Sequence, residues 1–186
     1  MGLASADRIK WSVRWAVVLA CGVSLVHAAD GDAVEEYRLK AAFISKFAGF
    51  VDWPPQVWKN AADPIVICVL GENPFGSALD QAISGRTAHD HKLAVRYAAN
   101  PKQCAACQIV FISSSERNHF RSVLKGIPPS GVLTVSDADN FTDDGGMIDL
   151  PLESDRVRIV INIDAAEQAG LHISSKLLSL ARIVRK

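Results

Sequence analysis

Ile65-Val66-Ile67-Cys68-Val69-Leu70, followed by Gly71-Glu72-Asn73-Pro74-Phe75-Gly76, sets the class of fold. Six consecutive apolar residues, four of them β-branched, describe a strand buried on both faces, as in a parallel sheet covered by helices. The glycines and Pro74 turn the chain, and Ala78, Leu79, Ala82 and Ile83 then recur at helical spacing within Ser77 to Ser84. Lys92 to Tyr97 reads as a strand with weaker alternation, and Gln108 to Ile112 as a second apolar strand. Ser113-Ser114-Ser115-Glu116 supplies N-cap residues and an acidic first turn for a helix to about Lys125, which Gly126-Ile127-Pro128-Pro129 stops. Further strands are expected at Val132 to Val135, Gly146 to Leu150 and Arg156 to Asn162, the last two antiparallel because little chain separates them. Asp164 is placed to cap a short helix, and Ser174 to open a C-terminal one with Leu177, Leu178, Leu180, Ala181 and Val184 on its apolar face. Strands alternating with helices require crossover connections. The expectation is one three-layer α/β domain, with a mixed, mostly parallel sheet of about five to six strands flanked by helices.

Toward the N-terminus, Glu35 to Val51 is amphipathic, with Leu39, Ala42, Phe43, Phe47 and Phe50 at steps of three and four. Trp53-Pro54-Pro55 ends that helix, since a residue before proline is pushed out of the helical region. Farther upstream, Arg8, Lys10 and Arg14 precede an apolar run from Trp15 to Val26 that closes on Val26-His27-Ala28. This is the pattern of a secretory leader, and the run is well short of the ~20 residues that anchor a chain in a bilayer. Residues 1–28 are therefore expected to be a signal peptide and 29–186 the α/β domain. For a bacterial leader the destination is the periplasm, which holds no ATP or NADH pool and permits disulfides. After residue 28 the chain carries 17 Lys and Arg against 19 Asp and Glu. No basic stripe marks a nucleic-acid partner.

Three cysteines follow the leader: Cys68, Cys104 and Cys107. Cys104-Ala105-Ala106-Cys107 has the spacing of a redox-active dithiol, but a reactive thiol of that kind sits at a helix N-terminus, and this pair stands directly before a strand. The competing reading is a bridge from Cys68 to Cys107, joining two neighbouring strands. Such a bond closes a loop of ~40 residues and stabilises by roughly 3 to 4 kcal/mol in the chain-entropy treatment. Cys104 is then an exposed extra thiol or an exchange partner for Cys107. A zinc site lacks its second pair of ligands, and His89-Asp90-His91 reads as a solvated turn. The loop Gly71 to Gly76 lacks the lysine of a phosphate-binding loop and carries Glu72 where an anion would approach. Ser174-Ser175-Lys176 has the wrong spacing for a serine–lysine nucleophile. No histidine pairs with a nucleophile and an acid, so the sequence supports neither an enzyme nor a cofactor.

Taken in order, these segments resemble the YfiR family of small periplasmic proteins. The resemblance rests on Glu35-Tyr37-Leu39-Lys40-Ala41-Ala42-Phe43 through Trp53-Pro54, Ile67 to Gly71 with Pro74-Phe75-Gly76, and Cys107 to Ser113. It continues through Leu133 to Asp137, Phe141, Gly145 to Ile148, Ile161-Asn162, Gly170-Leu171, and Ile173 to Leu178 with Leu180 to Arg182. It implies an α/β fold, a common dimer, and a repressor that binds the periplasmic sensor domain of an inner-membrane diguanylate cyclase. It further implies release by an outer-membrane lipoprotein with a peptidoglycan-binding domain. The family's structural disulfide maps to Cys68 and Cys107; a second bridge that members often hold has no counterpart after Cys107.

A repressor needs a surface rather than an active site. The phenylalanines of the first helix are expected to pack on the sheet, leaving Trp53 and above all Trp58 as candidate partner anchors. Two other classes remain: a small-ligand sensor using the strand ends near Gly71 to Gly76 or Ser113 to Ser115, acting on a receptor such as a histidine kinase, and a thiol-disulfide oxidoreductase.

Overall fold

The structure is a computed structural model that describes residues 27–186. The leader expected over residues 1–28 lies outside the described residues, apart from His27 and Ala28 at the start of the first helix. Val34–Lys186 form one compact unit.

Helix α1 (His27–Phe47) leads through a tight turn into β1 (Val51–Asp52). The apolar run forms β2 (Ile65–Leu70), every residue buried, and is followed by α2 (Ala78–Ile83). Next come β3 (Thr87–Ala88) and β4 (His91–Ala98), a hairpin whose turn residues His89 and Asp90 both take left-handed backbone angles, φ 49° and 66°. That conformation fits the twist of paired strands. After β5 (Ile109–Ile112) the chain runs through a 3-10 turn, Ser114–His119, capped by the Ser113 hydroxyl, into α3 (Phe120–Gly126). Strands β6 (Leu133–Ser136) and β7 (Ile148–Asp149) precede a small hairpin, β8 (Leu152–Glu153) with β9 (Arg156–Val157). The chain ends with β10 (Val160–Asn162), α4 (Ile163–Gln168), β11 (His172–Ile173), α5 (Ser175–Leu178) and β12 (Arg182–Val184).

The main sheet has the order β12-β10-β7-β6-β5-β2-β4-β3. Pairings from β4 through β2, β5 and β6 to β7 are parallel; β7 with β10 and β3 with β4 are antiparallel. The mixed, mostly parallel sheet flanked by helices is the expected architecture, with eight strands where about five to six were anticipated. The additions are β3, a short hairpin partner, and β12. The latter stands where the C-terminal helix was expected: α5 stops at Leu178, and Arg182-Ile183-Val184 pairs in parallel with β10. Branched Ile183 and Val184 suit a strand, and the pairing occupies the backbone edge of β10.

Side chains alternate across β2 as the strand period demands. Ile65, Ile67 and Val69 join Phe111, Val135 and Ile161 in the core shared with α1, α2 and α4. Val66, Cys68 and Leu70 join Val110, Ile112, Phe120 and Phe141 on the opposite face, where α3 packs. Each fully buried large apolar side chain contributes roughly 1.5–3 kcal/mol.

Candidate functional site at the C-terminal edge of the sheet

Open α/β sheets bind ligands beyond the C-terminal ends of strands whose exits lead to opposite faces. Here β2 exits toward α2 on one face, and its neighbour β5 exits toward α3 on the other. The crevice between them is closed by the chain itself. The Glu72 N–H donates to Ser115 Oγ at 3.1 Å, and a Cβ at Gly71, whose φ is +90°, would stand 2.6 Å from that oxygen. Over the crevice Tyr37 of α1 meets Phe75 edge-on at 5.6 Å between centroids, and Phe75 meets Phe111 at 4.7 Å. A cleft of about 510 Å³ lies elsewhere, between Phe50, in the turn after α1, and Leu93 of β4.

Beside these aromatics sits the most enclosed charge among the described residues. Lys40 is 2% exposed and pairs with Glu36 one turn back and with Asp137 Oδ2 at 3.3 Å, just past the end of β6. The Tyr37 hydroxyl donates to the same Oδ2 at 2.6 Å, and the Lys40 ammonium lies 4.9 Å from the Tyr37 ring centroid. Burial first, then the hydrogen bond to Asp137 and the nearby carboxylates, push the Tyr37 phenol far above its ordinary value, so it remains a donor. Asp137 Oδ1 is buried without a partner. One strand over, burial and the charges of Asp139 and Asp137 push the Asp149 carboxyl up to about 7, against the pull of the Leu150 and Phe141 N–H groups. Tyr37 and Lys40 clamp α1 onto the end of β6 through Asp137.

The second functional feature lies under α3. Cys68, Cys104 and Cys107 are all buried free thiols, and Cys68 Sγ is 2.7 Å from Cys104 Sγ. Cys104 ends a short 3-10 turn, Pro101–Cys104, whose proline and N-terminal Asn100 fold the segment back over β2. Of the two expectations for Cys104, an exposed extra thiol or an exchange partner for Cys107, the first is corrected: Cys104 is fully enclosed. The Asn-Pro turn ahead of the pair was the available sign that the segment doubles back. Hydrogen bonds from the other two sulfurs' side push the Cys68 thiol far up. The same contact with Cys68, with Arg96 nearby, holds Cys104 and Cys107 below the ordinary thiol value. Arg96 Nη1 is 3.8 Å from Cys107 Sγ.

The tryptophans divide. Trp53 is 9% exposed and its Nε1 donates to the Gln108 carbonyl at 3.3 Å. As a partner anchor Trp53 is corrected: its indole belongs to the core, because the turn after α1 directs it beneath β5. Trp58 is half-buried and stacks on His91 at 3.9 Å. The structure brings Trp58 together with His91 at the start of β4, and the cysteines with one another. Lys40, Asp137 and Asp149 were not singled out as site residues from the sequence. Their signal was faint: a Glu-to-Lys step of four on the first helix, and an aspartate at the exit of a parallel strand.

A match to the YfiR/HmsC-like family runs over residues 37–182. The chain belongs to that family. Its matched region begins at Tyr37 and so includes Tyr37, Lys40 and Asp137 of the clamp and the thiol cluster of this YfiR/HmsC-like protein. Among solved structures it is similar to a conserved domain protein from Vibrio cholerae O1 biovar El Tor, at 12% identity and a TM-score of 0.56, covering 79% of this chain and 59% of the other. It is also similar to an ABC domain in complex with L-Trp from Streptococcus pneumoniae, at 10% identity and a TM-score of 0.52, covering 77% and 60%. Both likenesses concern the fold, and the chain spans about three fifths of each structure's length. No helix among the described residues is long and apolar enough to cross a membrane, and no group of His, Cys, Asp and Glu among them is arranged to hold a metal.

Proposed function

We propose that this YfiR/HmsC-like protein is a periplasmic regulator that binds the periplasmic sensor domain of an inner-membrane diguanylate cyclase and holds cyclic di-GMP synthesis down. The observation that carries this reading is the family match across residues 37–182. The site geometry supports a binding role over a catalytic one, because the sheet crevice is filled by Tyr37, Phe75 and Ser115 and the charges beside it are tied to one another. A regulator of this kind works by binding one state of its partner more tightly than another, which calls for a rigid surface. Trp58, half-exposed and braced by His91, is the candidate anchor on that surface. A homodimer, and capture by an outer-membrane peptidoglycan-binding lipoprotein that frees the cyclase, belong to the same proposal. A bridge between Cys68 and Cys107 would fasten β2 to the entry of β5 and hold the surface in shape.

The test is cyclic di-GMP in the host with this chain deleted and then restored. The expected outcome is a rise on deletion that complementation reverses. An unchanged level under several envelope stresses would turn the proposal toward a different membrane receptor.

A further inference from the structure

Strand β2 carries Cys68 to the centre of the sheet, and the turn Pro101–Cys104 with the entry to β5 lays two more sulfurs against it. One bridge explains two buried thiols and leaves the third without a purpose. We infer that Cys68 bonds alternately with Cys104 and with Cys107, the third sulfur exchanging the bond inside the core.

Three observations carry this. Cys68 and Cys104 sulfurs are 2.7 Å apart, close to the roughly 2.05 Å of a bond, so a small side-chain shift joins them. All three residues are at most 2% exposed, so the exchange is shielded from outside thiols. The two bridges span 36 and 39 residues, and loop-closure cost changes only logarithmically with length, so chain entropy does not choose between them.

The chemistry balances without a cofactor. Before the sheet closes over the sulfurs, oxidised glutathione, as external disulfide, takes two electrons and two protons from Cys68 and Cys104 and leaves as two thiols; the Cys68–Cys104 bond remains. The Cys107 thiolate, with the Arg96 guanidinium beside it, then attacks Cys68 Sγ. A Cys107–Cys68 bond forms, the Cys68–Cys104 bond breaks, and the electron pair leaves on Cys104, which takes up the proton Cys107 released.

The full chain, refolded in reduced and oxidised glutathione, is quenched with acid, alkylated without reduction and digested with trypsin. Peptide 60–86 should be found linked to peptide 103–117, with fragmentation placing the bond on Cys104 in one population and on Cys107 in another. Cys107→Ser should retain the link through Cys104, Cys104→Ser through Cys107, and Cys68→Ser should lose it. A wild-type link through Cys107 alone overturns the inference, as does a Cys104–Cys107 bond with Cys68 alkylated. So does a Cys107→Ser chain that is folded by circular dichroism yet alkylated at both Cys68 and Cys104. Should that variant fail to fold, the wild-type map decides alone.

Discussion

Lys40 lies inside the molecule because two carboxylates and a phenol come with it. Enclosing a lone ammonium is prohibitive; enclosing it between Glu36 and Asp137 is tolerable, and the cost returns when one partner is removed. Lys40→Ala leaves the Asp137 carboxylate enclosed with only Tyr37 to donate to it. Unfolding in urea should show a loss of about 3 kcal/mol, and Asp137→Asn added to Lys40→Ala should restore part of it. Additive losses in the double variant would mean that the two side chains do not work as a pair. Asp149 provides a second residue-level test. Its folded value of about 7 stands above the 3.8 of an unperturbed carboxyl. Between those values the folded chain keeps a proton that the unfolded chain has released. The stabilisation is therefore complete below about pH 4 and is lost as pH rises toward about 7. Asp149→Asn keeps an acceptor for the neighbouring N–H groups without the charge. Its thermal midpoint should match the wild type near pH 4 and exceed it near pH 8; a difference that stays constant with pH would remove Asp149 as the titrating group. Neither residue was legible in the sequence, and the first helix shows why. Its expected stripe ran through Leu39, Ala42, Phe43, Phe47 and Phe50. The buried face instead runs through Lys40, Ala41, Ile44, Phe47 and Ala48, leaving Leu39 43% exposed. An apolar pattern counts lysine as outside, so it rotates the helix toward the wrong neighbours.

At the scale of elements, the turn between β2 and α2 is the most constrained connection. Gly71 combines a left-handed backbone, φ +90°, with a side-chain position already occupied by Ser115 Oγ. Gly76 is also left-handed, φ +55°, but has open space around it. Gly71→Ala should cost more than Gly76→Ala, each losing at least about 1 kcal/mol to backbone strain. Adding Ser115→Ala to Gly71→Ala should recover part of the excess, as chemical denaturation of the three variants will report. Equal losses at Gly71 and Gly76 would mean that the two loops do not press on each other. Elements with local signals were read well: β2 over Ile65–Leu70, and α2 within the expected Ser77 to Ser84. The C-terminus was not. Leu177, Leu178, Ala181 and Val184 have helical spacing, yet helix persists for only four residues before Arg182 donates to the Ile159 carbonyl and the strand begins. That choice rests on β10, a strand distant enough in the chain that no local window contains it.

The whole molecule is a sheet with strand exits blocked by its own first helix, which suits a protein that acts by contact. The parallel centre was foreseeable from apolar runs separated by helical spacing. The closure of the crevice was not, because it depends on how α1 crosses the sheet. Similarly, the sequence separated Cys104 from Cys68, since spacing along the chain says nothing about a turn that folds back over a neighbouring strand. The parallel ladder from β4 through β2 to β6 has a further consequence in time. Its pairings join distant parts of the chain, and such sheets assemble slowly. During that interval the three sulfurs are open to whatever oxidant surrounds the chain; afterward they are sealed at 0 to 2% exposure. How many sulfurs are oxidised is thus settled before the sheet closes, and the finished protein keeps a chemical record of the surroundings in which it folded.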